Sequence, residues 1–575
     1  MQVTFLPSNI KKIAECGENL LDIAASADLM LDVSCGGQGS CGKCRVRILS
    51  GLTEVADPAE TDALSKEELD LGYRLACRLR VTDDLEVLIP EIGAIQSGKT
   101  KTQFMPEGFI REIAVLEPGD VRAKNYGIAF DIGTTTVVGM LWDLNSGNMM
   151  GAFAKTNPQN TFGADVISRI QAAQGNPENL KNLQFKIKTC LNDIIKDFTA
   201  NYGVDHDTIY EVTIVGNTTM SHLLLGVDPS SLAKAPFAPV FCAASDFSGR
   251  ELGLDVNPLA NIHLLPNIAG HVGSDIVGVL LATGMMDRKG LHLAIDVGTN
   301  GEILLAKDGQ VLACSTAAGP AFEGAEILCG MRASDGAIEG IAIDQGEITL
   351  SIIGNQKPLG ICGSGIIDGI AQLLDAGLID HTGRLMDQAG AIKNSQPASL
   401  VSRLRDGSKG REFVLAYGPD AGDIVMTQKD IREVQLAKGA IASGIIIMLN
   451  TFNSDVSEIE SISLAGAFGN YIRKESGLRI GLFPLIPIEK IISVGNAAGT
   501  GACMALLSIS ERAWASSQAS RVTHIELASA KDFQQEFINA MSFPKKEDFD
   551  RSKKENNDRP KKDDLEIPSK DGGVI

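Results

Sequence analysis

Four cysteines are spaced to hold one metal centre. Cys35, Cys41 and Cys44 lie in Ser34-Cys-Gly-Gly-Gln-Gly-Ser-Cys-Gly-Lys-Cys44, a Cys-x5-Cys-x2-Cys spacing, and 32 residues separate Cys44 from Cys77. Thiolates are soft ligands that suit iron–sulfur clusters and zinc. A cluster with bridging sulfides is bulky and anionic, so its loop must wrap closely and turn backbone N–H groups toward sulfur. Four glycines in this loop supply that freedom. The competing reading, structural zinc, pairs two Cys-x2-Cys knuckles, whereas Cys77 stands alone in Arg74-Leu-Ala-Cys-Arg-Leu79. The four cysteines are therefore read as ligands of one [2Fe–2S] cluster. Cys16 reads as a partly buried thiol.

A second chemistry is written twice. Gly127-Ile-Ala-Phe-Asp131-Ile-Gly-Thr-Thr-Thr136 is echoed by His292-Leu-Ala-Ile-Asp296-Val-Gly-Thr-Asn-Gly301. Each is an apolar strand, an Asp-x-Gly-Thr turn and a second apolar strand. Gly133 and the hydroxyl-bearing turn let backbone N–H groups approach phosphate oxygens. A carboxylate at the strand end can hold Mg²⁺ or orient an attacking water. Downstream, Val212-Thr-Ile-Val-Gly216-Asn217 matches Ile462-Ser-Leu-Ala-Gly466-Ala467, each a strand entering a glycine turn. Repetition in register separates this pattern from the Asp-Gly turns of ordinary hairpins; the competing reading is two structural hairpins without nucleotide.

Three other motifs carry less. Gly93-Ala-Ile-Gln-Ser-Gly98-Lys99-Thr100 satisfies G-x-x-x-x-G-K-T. A P-loop must leave a buried strand and enter a helix, but Pro90 precedes this one and no apolar period follows, so it reads as linker. Gly360-Ile-Cys-Gly-Ser-Gly365 reads as an anion cradle or, more commonly for such a turn, a site of close helix packing, and Asp275 as a cleft carboxylate or the cap of a helix beginning near Ile276.

The elements that position these residues divide the chain. Residues 1–92 form one unit with strands at Val3–Leu6, Arg45–Leu49 and Leu85–Ile89 and a short helix at Leu20–Ala25. Residues 93–125 read as linker with one strand, Ile110–Leu116. From Tyr126 the texture changes to apolar strands alternating with long helical patterns, the mark of an α/β fold. Two lobes follow, 126–286 and 287–541, facing a cleft. Residues 542–575, rich in Lys, Asp, Glu, Asn and Pro, bury too little apolar surface to order and are expected to be disordered.

The 575 residues carry a formal net charge of −20, which disfavours a nucleic-acid partner. No stretch reads as a membrane span, since that needs about 20 apolar residues; Ile441–Leu449 reads as a buried helix. No signal peptide is visible in residues 1–13, so a cytoplasmic location is expected.

The cysteine pattern closely resembles the plant-type and adrenodoxin-type ferredoxins, with the first gap one residue longer. That resemblance implies a β-grasp N-terminal domain. The twin hairpins resemble the actin, heat-shock-ATPase and sugar-kinase superfamily, with its two-lobed, ribonuclease-H-like ATPase fold. Carried over, Asp131, Gly133, Thr134 and Thr135 form the first phosphate turn, and Asp296, Gly298, Thr299 and Asn300 the second. Gly466 and Gly469, in Leu-Ala-Gly-Ala-Phe-Gly, form the adenosine turn. Nearly the whole chain, short of the charged tail, resembles the ATP-dependent reductive activators of corrinoid proteins. Its marks are Cys-Gly-Gly-x-Gly-x-Cys-Gly-x-Cys, Asp131-Ile-Gly-Thr-Thr-Thr, Val215-Gly-Asn-Thr-Thr-Met220 and Asp296-Val-Gly-Thr-Asn-Gly-Glu302. The resemblance implies ATP–Mg²⁺ with Asp131 and Asp296 as its catalytic carboxylates, a corrinoid protein partner returned from Co(II) to Co(I), a low-potential electron donor and a homodimer. A small-molecule kinase with an appended ferredoxin domain and a plain electron-transfer protein are the alternatives.

Overall fold

The computed structural model describes the chain except residues 7–8, 28, 30, 32–38, 40–41, 43, 52–54, 65, 90–104, 107–108, 114–123, 299, 325, 408, 419–421, 470 and 550–575. The N-terminal unit is a five-stranded sheet of β1 (Gln2–Leu6), β2 (Ile10–Ile13), β3 (Arg45–Ser50), β4 (Tyr73–Leu75) and β5 (Leu85–Leu88). Its order is β2-β1-β5-β3-β4, with β1 and β5 parallel and the other pairs antiparallel. Val3 and Phe5 on β1 and Val87 on β5 alternate inward and are fully buried, the period of two that one-sided sheets require. Helix Leu20–Ser26 covers that face through Leu20, Ile23 and Ala24.

The next sheet joins β6 (Tyr126–Ile132), β7 (Thr136–Asp143), β8 (Asn148–Thr156), β9 (Ile209–Gly216), β10 (Ser245–Ser248) and β11 (Asn261–Leu264) in the order β10-β11-β9-β6-β7-β8. A third follows with β12 (Leu291–Val297), β13 (Gly301–Lys307) and β14 (Gln310–Thr316). Two three-stranded sheets then intervene: β15 (Ala337–Asp344), β16 (Glu347–Ile352) and β17 (Gly360–Ile361), and β18 (Leu404–Gly407), β19 (Gly410–Ala416) and β20 (Ile424–Thr427). The third sheet is completed by β21 (Ile459–Ala465), β22 (Ile491–Gly495) and β23 (Thr523–His524) in the order β22-β21-β12-β13-β14-β23.

The repeat read from the sequence is a repeat of topology. The antiparallel hairpins β6–β7 and β12–β13 are each flanked by a parallel strand, β9 and β21. The register matches, with Asp131 beside Val215 and Asp296 beside Ala465. This is the two-lobed, actin-like arrangement. Helices Ser274–Thr283 and Ala497–Leu507 share one apolar core with residues of both sheets. They cross at Gly278 and Gly501, where a Cβ on either would collide with the other helix's backbone.

The structure corrects or extends three expectations, and the buried helix expected at Ile441–Leu449 is one that it extends. Of the expected strand Ile110–Leu116, residues 114–116 lie outside the described residues; the described part makes a single bridge, Glu112 to Ser508, with Ile110 exposed. The helix holding Ile441–Leu449 extends over Gln428–Thr451 and by length and composition could cross a bilayer, yet 72% of its most apolar window is buried inside the protein. It is a core helix. The tail orders further than its composition suggests. Phe543 and Phe549 are buried, Lys438 Nζ donates to the Ser542 carbonyl and Arg479 to that of Pro544. Residues 550–575, and the P-loop-like segment Gly93–Thr100, lie outside the described residues.

Candidate functional site

The structure places Cys44 and Cys77 side by side and buried, with their sulfurs 3.2 Å apart. That is far beyond the ~2.05 Å of a disulfide. Two thiols aimed at one point suit a shared metal centre. Cys35 and Cys41 lie outside the described residues. Around the pair, Gly39 (φ +83°) and Gly42 (φ +67°) bring their loop against helix Pro58–Ala63; a Cβ on Gly39 would stand 3.0 Å from Ala59. The same helix grips the strand that leads to Cys77. Buried Glu60 accepts from Arg74 Nη2 at 2.6 Å and from the Leu75 N–H at 2.9 Å. One helix therefore touches both the loop at Gly39 and Gly42 and the strand that leads to Cys77.

The second site lies between the lobes. Asp131 and Asp296 end the paired strands β6 and β12, and each raises the other's neighbourhood in negative charge. Burial pushes the Asp131 carboxyl up to about 6, against a hydrogen bond from Asn496. Burial and then Asp131 push Asp296 up to about 7. Asp275 belongs to the same cluster, pushed up to about 8 by burial, Asp296 and Asp131. Glu302 is raised well above the usual carboxyl range by burial, Asp275 and Asp296. Asp275 does not cap its helix, whose N-cap is Gly273; it stands in the first turn. Within this cluster Asp131 disfavours ionisation of Asp296 and Asp275, and Asp275 and Asp296 that of Glu302; a hard divalent cation would relieve that repulsion.

The first phosphate turn is braced from below. The Gly133 N–H donates to the Thr136 carbonyl at 3.0 Å, and a Cβ at Gly133 would meet that oxygen at 2.6 Å. Buried Asn157 donates its side-chain amide to the Gly133 carbonyl at 2.9 Å and its backbone N–H to that of Thr135 at 2.8 Å. Arg169, fully buried, donates to the Thr134 carbonyl at 2.6 Å; burial lowers its guanidinium to about 9. Asn217 donates to the Thr134 hydroxyl at 2.9 Å. The Thr135 hydroxyl reaches across to Glu323 of the other lobe at 3.3 Å. In the second turn, the Gly298 N–H donates to the Asn300 carbonyl at 2.9 Å; Thr299 lies outside the described residues. Gly466 (φ +87°) sits so close that a Cβ would strike the Asp296 carboxylate and approach the Val297 carbonyl to 2.9 Å. Gly469 is buried against Leu464, three residues along the same turn.

Comparison with known proteins agrees with this partition. Residues 5–82 match the 2Fe-2S iron-sulfur cluster binding domain, 126–288 the RACo middle region and 290–553 the C-terminal ASKHA domain of RACo. The chain is 35% identical over 566 residues to the corrinoid activation enzyme RamQ of Eubacterium limosum, covering 90% of this chain and 95% of RamQ. The chain belongs to the corrinoid activation enzymes. It is also 25% identical to the [Co(II) methylated amine-specific corrinoid protein] reductase of Methanosarcina barkeri, over 73% of this chain and 77% of that one. A solved structure, the reductive activator for corrinoid, iron-sulfur protein, superposes with a TM-score of 0.67 at 30% identity, covering 95% and 98% of the two chains. As a corrinoid activation enzyme the chain uses a [2Fe–2S] cluster and ATP.

Sequence reasoning missed residues that this enzyme's cleft depends on. Asn496 caps helix Ala497–Leu507 by accepting from the Gly499 N–H at 2.8 Å while it bonds Asp131. Its context, Val494-Gly495-Asn496 after a strand, repeats Val215-Gly216-Asn217 and was available as a pattern. Asn157 and Arg169 carried no such pattern.

Proposed function

We propose that this corrinoid activation enzyme uses ATP to drive one electron from its [2Fe–2S] cluster onto the Co(II) of a corrinoid protein, restoring Co(I). The observation that carries the reading is the presence in one chain of a buried Cys44–Cys77 sulfur pair, too far apart for a disulfide, and a cleft of clustered carboxyl groups between two phosphate turns. Cys35, Cys41, Cys44 and Cys77 hold the cluster. When bound, the cluster supplies a one-electron store at about −400 mV. The rest is done by the chain's own groups. Asp131 and Asp296 would hold Mg²⁺ and orient water, with Asp275 and Glu302 in the same carboxyl cluster. The backbones of Gly133–Thr135 and Gly298–Asn300 receive phosphates, and Gly466 and Gly469 pack on adenosine.

Placing anionic phosphates and a cation between the lobes changes the charge balance that holds the cleft in its present arrangement. A rearrangement of the lobes can favour a docked corrinoid protein in which Co(II) accepts the electron, since a ligand shifts an equilibrium by its differential affinity for two states. A low-potential donor in the cytoplasm refills the cluster, and the enzyme works as a homodimer. The test mixes dithionite-reduced protein with a Co(II) corrinoid protein and compares ATP–Mg²⁺ with none. ATP-dependent Co(I) supports the reading. ATP turnover on a sugar or acyl acceptor, indifferent to redox state, would replace it with a kinase.

A further inference from the structure

The cluster domain touches the nucleotide lobe through helix Leu20–Ser26. The start of helix Leu20–Ser26 is stitched to the turn carrying Cys77. The Asn19 amide donates to the Cys77 carbonyl at 3.0 Å, the Leu21 N–H to that of Ala76 at 3.2 Å, and the Leu20 N–H to that of Leu79 at 3.0 Å. The same helix packs against the 3₁₀ turn Pro158–Phe162 of the nucleotide lobe. That turn begins at Asn157, whose two hydrogen bonds hold the Gly133 and Thr135 carbonyls of the first phosphate turn. It is fixed in turn to helix Pro177–Tyr202, since Gln159 donates to the Leu183 carbonyl at 2.9 Å.

At this seam two opposite charges face each other from the two domains. Burial raises the Asp22 carboxyl above its ordinary range, against the pull of Lys186. Burial lowers the Lys186 ammonium, against the pull of Asp22. Each group loses water and is compensated by the other, as expected where two surfaces have met. A continuous set of contacts therefore runs from the phosphate turn, through Asn157 and its 3₁₀ turn, across the Asp22–Lys186 seam, to the backbone of Cys77.

We propose that this seam is a docking interface that couples the cluster to the nucleotide: ATP binding lowers the cluster's reduction potential, and reduction weakens ATP binding by the same factor. The direction follows from charge. Reduction adds one negative charge at one end of the contact set, and the nucleotide adds negative charge at the other, so each disfavours its partner. The reciprocity is thermodynamic, because a coupling free energy between two binding events has one value whichever is measured. The proposal rests on the four cysteines and the cleft being the cluster and ATP sites.

The test uses the full chain and two independent readouts. ATP affinity, with Mg²⁺, is measured on oxidised and dithionite-reduced protein, and the cluster's midpoint potential is measured by mediated titration with and without ATP. The expected result is tighter ATP binding to the oxidised protein, with a matching fall in potential; a tenfold ratio corresponds to about 59 mV for one electron. Asp22→Lys alone and Lys186→Asp alone should each erase the difference, and the double charge swap should restore it. All three variants should keep the cluster spectrum and the oxidised protein's ATP affinity. Equal affinities in both redox states of the wild type, a rise in potential, or single variants that keep the full difference would overturn the coupling. Loss of the cluster spectrum in Cys77→Ser, or of ATP binding in Asp296→Asn, tests the underlying sites separately. If neither loss occurs, the site assignment fails, and the coupling with it.

Discussion

Replacing Asp296 with Asn should stabilise the nucleotide-free protein, and the gain should depend on pH. The folded protein holds the Asp296 proton up to about pH 7, whereas an unfolded Asp releases it near 3.8. A raised carboxyl pKa means that stability present below about pH 4 is lost as pH rises through about 7. At about 1.36 kcal/mol per pH unit, the full rise is worth about 4 kcal/mol; relaxation and water entry into the cleft reduce this to on the order of 2–4 kcal/mol. Asparagine has no proton to lose and leaves the other three carboxyls with one fewer neighbour. Thermal melts at pH 8 without nucleotide should therefore show Asp296→Asn melting higher by roughly 4–8 °C, at about 2 °C per kcal/mol for a large domain. By pH 5 the gap should shrink by more than half. Adding ATP–Mg²⁺ at pH 8 should reverse the order, stabilising only the wild type. A gap of the same size and sign at both pH values would refute the reasoning, because it would show that the charge on Asp296 is not what the fold resists.

Other perturbations probe the remaining parts. Cys77→Ser should abolish the [2Fe–2S] absorption and EPR signals while leaving ATP affinity within about twofold, read by calorimetry. Gly466→Ala places a methyl against the Asp296 carboxylate at φ +87° and should weaken ATP binding by at least tenfold with the cluster spectrum unchanged. Arg74→Met strands Glu60 as a buried, unpaired carboxylate, a change that costs about 3–5 kcal/mol in other buried pairs; the cluster should then bleach at a lower denaturant concentration than in the wild type.

The parts legible in the sequence were local and periodic. The two hairpins announced themselves because Asp, Gly and Thr recur at fixed offsets between period-two strands, and β6–β7 and β12–β13 form there. The Gly-rich cysteine loop was equally plain, and Cys44 and Cys77 meet across 33 positions. What escaped were residues whose role depends on distant partners. Arg169 is a charged residue on the buried face of helix Val166–Ala173, beside Val166, Ile170 and Ala173, and only the fold brings the phosphate turn onto it. Glu302 stood in a quoted motif with no role, because its neighbours Asp275 and Asp296 are joined to it only by the fold. Phe543 and Phe549 were hidden by averaging: two aromatics among charged residues lower the mean hydropathy little, but each finds a pocket, beside Lys438 and Arg479.

The central claim is that ATP drives an electron from the cluster to cobalt. The most direct measurement is anaerobic: reduced full-length protein is mixed with a Co(II) corrinoid protein, and the Co(I) absorption band is followed with and without ATP–Mg²⁺. The account predicts Co(I) only with ATP, and none from Cys77→Ser or Asp296→Asn. Co(I) formed at the same rate and extent without nucleotide would contradict it.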